Sequence, residues 1–191
     1  MKIRFAQKKD AGQLLEIYAP FISHSAVSFE SEVPSVREFE ERMKSYMQTY
    51  PWLVCEQDNE IIGYAYASRY RDRKAYQWSC ECSVYVKKKF RKSGIARMLY
   101  TVLFETLKRQ GFMNVYAVIT FPNPASIRFH RKAGFRKFAV YKKVGYKMGK
   151  WNDVHWYGKQ LLKPVVKPKM PAPFAEIKNS LAVKEILKRK L

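Results

Sequence analysis

Apolar positions along this chain alternate between a period of two and a period near 3.6, and the switches divide it into elements. Ile3 and Phe5 stand between polar neighbours and predict a short first strand. Asp10 is a candidate N-cap for a helical face of Leu14, Leu15, Ile17 and Tyr18, which the spacing ends near Pro20. Ser35 and Glu38 form a capping box for a second helix with Val36, Phe39, Met43 and Met47 on its apolar side. Between the two lies a polar loop over residues 24–30 with two apolar anchors. Residues 52–56 and 61–67 flank the polar pair Asp58-Asn59, a hairpin signature. Over residues 76–86, Trp78, Cys80, Cys82, Val84 and Val86 alternate with Gln77, Ser79, Glu81, Ser83 and Tyr85, which predicts a strand. A long helix follows over residues 94–110, carrying Ile95, Met98, Leu99, Val102, Leu103 and Leu107. Residues 115–119 read as a buried strand and 126–133 as a short helix closed by Gly134. Tyr141 and Trp156 mark later strands.

Beyond residue 162 the pattern changes. Residues 163–174 contain four prolines and read as a linker. In residues 175–191, Ile177, Leu181, Val183, Leu187 and Leu191 fall on one side of a single basic amphipathic helix. Docking onto the body or a partner subunit is the first reading of that helix; a membrane-surface or nucleic-acid role is the other. The chain of 191 residues therefore reads as one domain over 1–162 with an appendage.

Net charge sharpens the question of partners. The chain carries +21, and residues 163–191 hold eight Lys/Arg against two Glu, so the body remains at +15. A nucleic acid, a polyanionic small ligand, an anionic substrate or solubility would each account for that. The aromatics fall mainly on strands and helices with core periodicity, which argues against a nucleic-acid-binding module. Cys55, Cys80 and Cys82 are odd in number and lack disulfide or zinc spacing, as do His24, His130 and His155, so no metal is expected. With no apolar leader and no run long enough to span a bilayer, a cytoplasmic location with no membrane association is expected.

The most informative stretch joins the residue 76–86 strand to the long helix. Arg91, Lys92, Ser93, Gly94, Ile95, Ala96 and Arg97 combine positive charge with small residues at a helix start, where unpaired N–H groups attract anions. It is neither a Walker loop nor a dinucleotide fingerprint. A basic, solvated turn before an ordinary helix is the other reading of the same spacing.

Arg91-Lys92-Ser93-Gly94-Ile95-Ala96 resembles the pyrophosphate loop of the GNAT acetyltransferase superfamily, and the segment from Asn123 to Phe135 is similar to the later helix that flanks the pantetheine arm there. Tyr50-Pro-Trp-Leu-Val54, Ala75-Tyr-Gln-Trp78, Glu81-Cys-Ser-Val-Tyr-Val86 and Gly149-Lys-Trp-Asn-Asp-Val154 narrow the resemblance to the phosphinothricin/methionine-sulfoximine acetyltransferases, over roughly residues 2–162. That resemblance implies an α+β GNAT fold: a mixed, mostly antiparallel, twisted sheet of about six or seven strands with helices on both faces. It implies acetyl-CoA as cosubstrate, a small-molecule amino-acid-like amine as acceptor, and a homodimer. Val84, Tyr85 and Val86 would pair with the pantetheine amides, residues 91–97 would hold the pyrophosphate, and Asn123 and Ser126 would flank the lower arm. Phe29, Arg73 and Tyr76 would bind the acceptor.

Acetyl transfer to an amine requires a neutral nitrogen, a stabilised oxyanion and a protonated leaving thiolate. Glu81 aligns with the carboxylate that serves as base in the family; an ordinary solvent-facing or ion-paired glutamate is the other reading. His130 aligns with the position of the acid and can titrate near neutrality. A helix histidine packed beside Phe135 and bonded to a backbone carbonyl is its alternative. Tyr100 and Tyr141 are weaker candidates for that acid. Backbone N–H near Val84 would meet the oxyanion. A peptide or protein amine stands as the alternative acceptor.

Overall fold

A computed structural model describes residues 1–188. Seven strands form one sheet: β1 (Lys2–Phe5), β2 (Trp52–Gln57), β3 (Glu60–Arg69), β4 (Ser79–Val86), β5 (Asn114–Phe121), β6 (Arg136–Lys147) and β7 (Lys150–Gln160). Their order is β1-β2-β3-β4-β5-β7-β6, antiparallel everywhere except between β4 and β5. Among the described residues six helices accompany them: α1 (Ala11–Ser23), α2 (Val36–Thr49), α3 (Ile95–Gln110), α4 (Pro124–Lys132), α5 (Phe174–Ile177) and α6 (Leu181–Lys188). The α+β sheet with helices on both faces is the expected one.

Alternation along the strands creates two cores. Leu53, Cys55, Ile62, Cys80, Cys82, Val115, Ala117, Ile119 and Tyr157 pack with Leu99, Leu103 and Leu107 of α3. On the other face Trp52, Val54, Ile61 and Tyr64 pack with Leu14, Tyr18 and Ile22 of α1 and with Phe39 and Met43 of α2. Even positions of β4 thus belong to the α3 side, and Glu81, Ser83 and Tyr85 to the opposite one.

Several local expectations are corrected. Asp10 makes no side-chain cap to α1, because Arg4 grips both its oxygens at 2.7 and 3.0 Å and the Gln7 N–H donates to it at 2.7 Å. Helix α1 does not stop at Pro20; it runs to Ser23, and the His24 N–H still donates to the Pro20 carbonyl. The Ser35–Glu38 capping box forms as the sequence indicates, but Val36 is exposed. The strand expected from Tyr76 begins at Ser79, since residues 74–76 make a 3-10 turn.

The tail is not one helix after a free linker. Phe174 opens α5 and is buried, its ring 4.7 Å from that of Phe5. The break between α5 and α6 rotates the apolar face, so Val183 and Ile186 are buried while Leu181 is 79% exposed. Leu191, expected on that face, lies outside the described residues. The strap before α5 is bonded to the body: the Trp78 indole N–H donates to the Lys169 carbonyl at 2.8 Å. The Gln110 side-chain amide donates to Thr49 and Ala172 carbonyls at 2.7 and 2.8 Å.

Candidate active site

Strand β4 pairs with β3 along its length, from Arg69↔Cys80 to Gly63↔Val86. Its parallel pairing with β5 covers only Ser79, Glu81 and the residue between, opposite Asn114–Tyr116. Beyond Glu81 the strands part, because β5 continues alongside β7 as far as Phe121. Residues 82–86 are left with one edge that has no strand partner, and peptide groups in that position need a ligand or water. The cleft between the strands is lined by Cys82, Ser83, Val84 and Tyr85 of β4, residues 117–120 of β5, Asn123, Ser126 and His130 at α4, and Val27.

At the far end of β4, a 3-10 turn (Lys88–Phe90) leads to Arg91, Lys92, Ser93 and Gly94. Gly94 precedes α3 with φ +87°, left-handed backbone that glycine adopts without the Cβ penalty. No side chain caps this helix start, and the space beside Gly94 is open. The first N–H groups of α3 therefore point outward with the positive end of the helix dipole. Lys92 and Arg97 have no acidic partner among the described residues, whereas Lys87 and Lys89 pair with Glu60. Arg91 turns back, donating to the Val86 carbonyl at 3.3 Å with its guanidinium 5.3 Å from the Phe21 ring centroid. Ser93 donates to the Phe90 carbonyl. An extended ligand with a polyanionic segment fits both features: its amides on the open β4 edge, its charge over α3.

Glu81 occupies the vertex of this fork, at the last position where β4 pairs with β5. Half-buried, its carboxyl is pushed up to about 7 by desolvation, with the Arg71 charge opposing. A carboxylate poised there accepts and releases protons at neutral pH. On the same side of the sheet, Arg71 lies over Trp156 and Tyr70 at 5.7 and 5.3 Å, and Tyr70 packs on Tyr116 at 4.5 Å. Glu81 thus borders a face of aromatic rings carrying one cation.

His130 is buried, and both ring nitrogens are engaged. Nδ1 is 2.9 Å from the Ser126 carbonyl, which can only accept, so Nδ1 carries the proton. Nε2 then accepts from the Tyr100 hydroxyl at 3.0 Å, and Tyr100 receives the Cys82 thiol at 3.3 Å. Burial lowers the imidazole pKa, against the opposing effect of the Ser126 bond. Phe135 lies 5.2 Å from its ring. This is the packed, backbone-bonded histidine of the second reading, placed on the wall of the cleft.

The sequence matches the acetyltransferase (GNAT) domain family over residues 3–156. The chain belongs to the GNAT acetyltransferases. It is 33% identical to a phosphinothricin N-acetyltransferase of Streptomyces viridochromogenes, over 91% of each chain. A methionine sulfoximine/methionine sulfone acetyltransferase of Salmonella typhimurium is 32% identical, covering 84% of this chain and 95% of that one. Among solved structures, a GNAT phosphinothricin acetyltransferase from Sinorhizobium meliloti in complex with AcCoA superimposes with TM-score 0.81 at 31% identity, over 87% of this chain and 94% of the other.

Within this GNAT domain the structure brings together Val84, Tyr85, Asn123, Ser126 and His130 around one cleft. Asn123 caps α4 by accepting the Ser126 N–H at 3.1 Å, with Pro124 suited to the first helical position. Val86 is on β4 beyond the cleft, between it and the 91–97 loop. Three expected acceptor residues stand apart from the cleft lining: Arg73 and Tyr76 are exposed at the 3-10 turn before β4, and Phe29 is 43% exposed. Val27 and Arg71 were not singled out beforehand. Val27 is one of the apolar residues in the 24–30 loop, and nothing in the run of residues 69–73 distinguishes Arg71 from Arg73.

Proposed function

We propose that this GNAT enzyme transfers the acetyl group of acetyl-CoA to the amino group of a small amino-acid-like acceptor. The observation that carries the reading is the fork itself: an open β4 edge, an uncapped α3 start at one end, and a carboxyl titrating near 7 at the other. Acetyl-CoA supplies the acyl group, activated as a thioester. The backbone of Val84, Tyr85 and Val86 holds its pantetheine amides. N–H groups at Ile95, Ala96 and Arg97, with Lys92 and Arg97 charges, hold its pyrophosphate. Asn123 and Ser126 flank the arm from α4.

Glu81 takes one proton from the acceptor's ammonium, directly or through a water, so that the nitrogen lone pair can attack the thioester carbon. As the C–N bond forms the C–S bond breaks, and the departing thiolate takes up the second proton that the nitrogen sheds. We assign His130 to the wall of the cleft rather than to proton donation, because its imidazole is neutral at pH 7 and its one N–H is committed to Ser126. Arg71 and Arg73 suit an acceptor with a carboxylate or other anionic group. Relatives named for phosphinothricin and methionine sulfoximine support that substrate class.

We also read the molecule as a homodimer, supported by the exposed apolar side chains Phe138, Val144, Tyr146 and Trp151 on β6 and β7. A cytoplasmic, reducing setting is supported by three buried, unpaired cysteines. The test is acetyl-CoA turnover, followed as thiol release, across a panel of amino-acid analogues. Acceptor-dependent thiol release is expected; none with any amine would overturn the reading.

A further inference from the structure

The β6–β7 hairpin reaches the loop between α1 and α2, and its contact there has an unusual form. Lys147, the last residue of β6, donates to the carbonyls of Ile22, Ser28 and Glu30 at 2.7, 2.7 and 2.6 Å. An ammonium has three donors, and here one meets the last turn of α1 at Ile22 and two meet the loop after it, at Ser28 and Glu30. Among the described residues no carboxylate accepts from Lys147; the Glu30 side chain is taken by the Arg42 fork at 2.7 and 3.2 Å. The Tyr18 hydroxyl ties the same segment, 2.7 Å from the Ser28 hydroxyl and donating to Glu30 at 2.8 Å. Two residues before Lys147, Gly145 lies under Phe29, and a Cβ there would overlap the ring.

The consequence falls on Val27. It sits between the first and second clamped carbonyls and is the loop's contribution to the cleft, alongside Tyr85 and Asn123. Val27 is 38% exposed, and the clamped carbonyls of Ile22 and Ser28 bracket it in sequence. We propose that Lys147 is a positioning residue for the acceptor: by gathering the carbonyls of Ile22, Ser28 and Glu30 it fixes the run of residues 27–29, with Val27 on the wall of the cleft and Phe29 outside its lining, and so sets which acceptors reach the cleft. This rests on the acetyl-transfer reading above.

Lys147→Met keeps an unbranched stem, one atom shorter, and removes every donor. Acceptor kcat/KM is expected to fall about tenfold or more while the KM for acetyl-CoA stays within about twofold. Amide hydrogen exchange over residues 24–30 should accelerate, with α3 unaffected. Gly145→Ala displaces the Phe29 ring without touching the ammonium, and should give the same acceptor-selective loss even if the first variant fails to fold. Wild-type enzyme that releases no thiol with any amine would sink the functional reading instead. An active wild type whose variants leave acceptor kcat/KM unchanged, or raise both KM values together, would overturn the clamp.

Discussion

Strands β4 and β5 are joined at one end and parted at the other, and the two ends are built differently. At the joined end the Trp78 carbonyl accepts the Met113 and Asn114 N–H groups, and the Trp78 indole is bonded to the C-terminal strap. Beyond that strap, Phe174, Val183 and Ile186 are buried, Phe174 against Phe5. At the parted end, residues 82–86 keep one edge without a strand, α3 starts without a cap, and Lys92 and Arg97 carry charge with no acidic partner among the described residues. Completed hydrogen bonds and burial stabilise the first region. The second leaves the same kinds of group for a ligand to complete.

That contrast can be broken from either side. The largest effect is expected at the joined end: Phe174→Ala removes a buried ring and should cost about 3 kcal/mol of stability, read by denaturant unfolding, with turnover per folded molecule retained. At the vertex, Glu81→Gln should lower kcat by about 10²-fold or more. Wild-type kcat/KM should rise as pH increases through about 7, where Glu81 loses its proton, and the variant should lack that limb. The same substitution has the opposite effect on stability. A carboxyl raised from 4.5 to about 7 in the fold makes the wild type less stable as pH rises across that window. Glu81→Gln should therefore melt higher than wild type at pH 8 and lose the advantage below pH 4.5.

Smaller effects follow further along the fork. Gly94→Ala strains left-handed backbone and puts a methyl group into open space at the helix start. The KM for acetyl-CoA should rise about tenfold, with acceptor KM little changed. Trp78→Phe removes the N–H to Lys169 together with part of the ring and should cost about 1 kcal/mol or more in unfolding experiments, leaving both KM values in place.

Much of the fold was legible because local pattern and tertiary context agree. The Ser35–Glu38 box, the Asp58-Asn59 hairpin and the alternation from Cys80 to Val86 are local signals that the structure keeps. Asp10 and Pro20 misled for a shared reason: a distant group, Arg4 for one and continuing helix packing for the other, outweighed the local preference. In the site, the charged loop before α3 was readable as a basic helix start with small residues, which the structure leaves uncapped. The parting of β4 from β5 was not, since an alternating strand has the same sequence whether or not a neighbour pairs with it. Lys147 carries no local signal either, because its three acceptors lie 117–125 residues away and are backbone atoms.

The most direct measurement is a titration of acetyl-CoA into the isotopically labelled protein, followed by backbone amide resonances. Shifts should concentrate at residues 83–86 and 95–97, the open edge of β4 and the first turn of α3, and saturate together. Saturable shifts that spare both segments, or no shifts at all, would contradict the account.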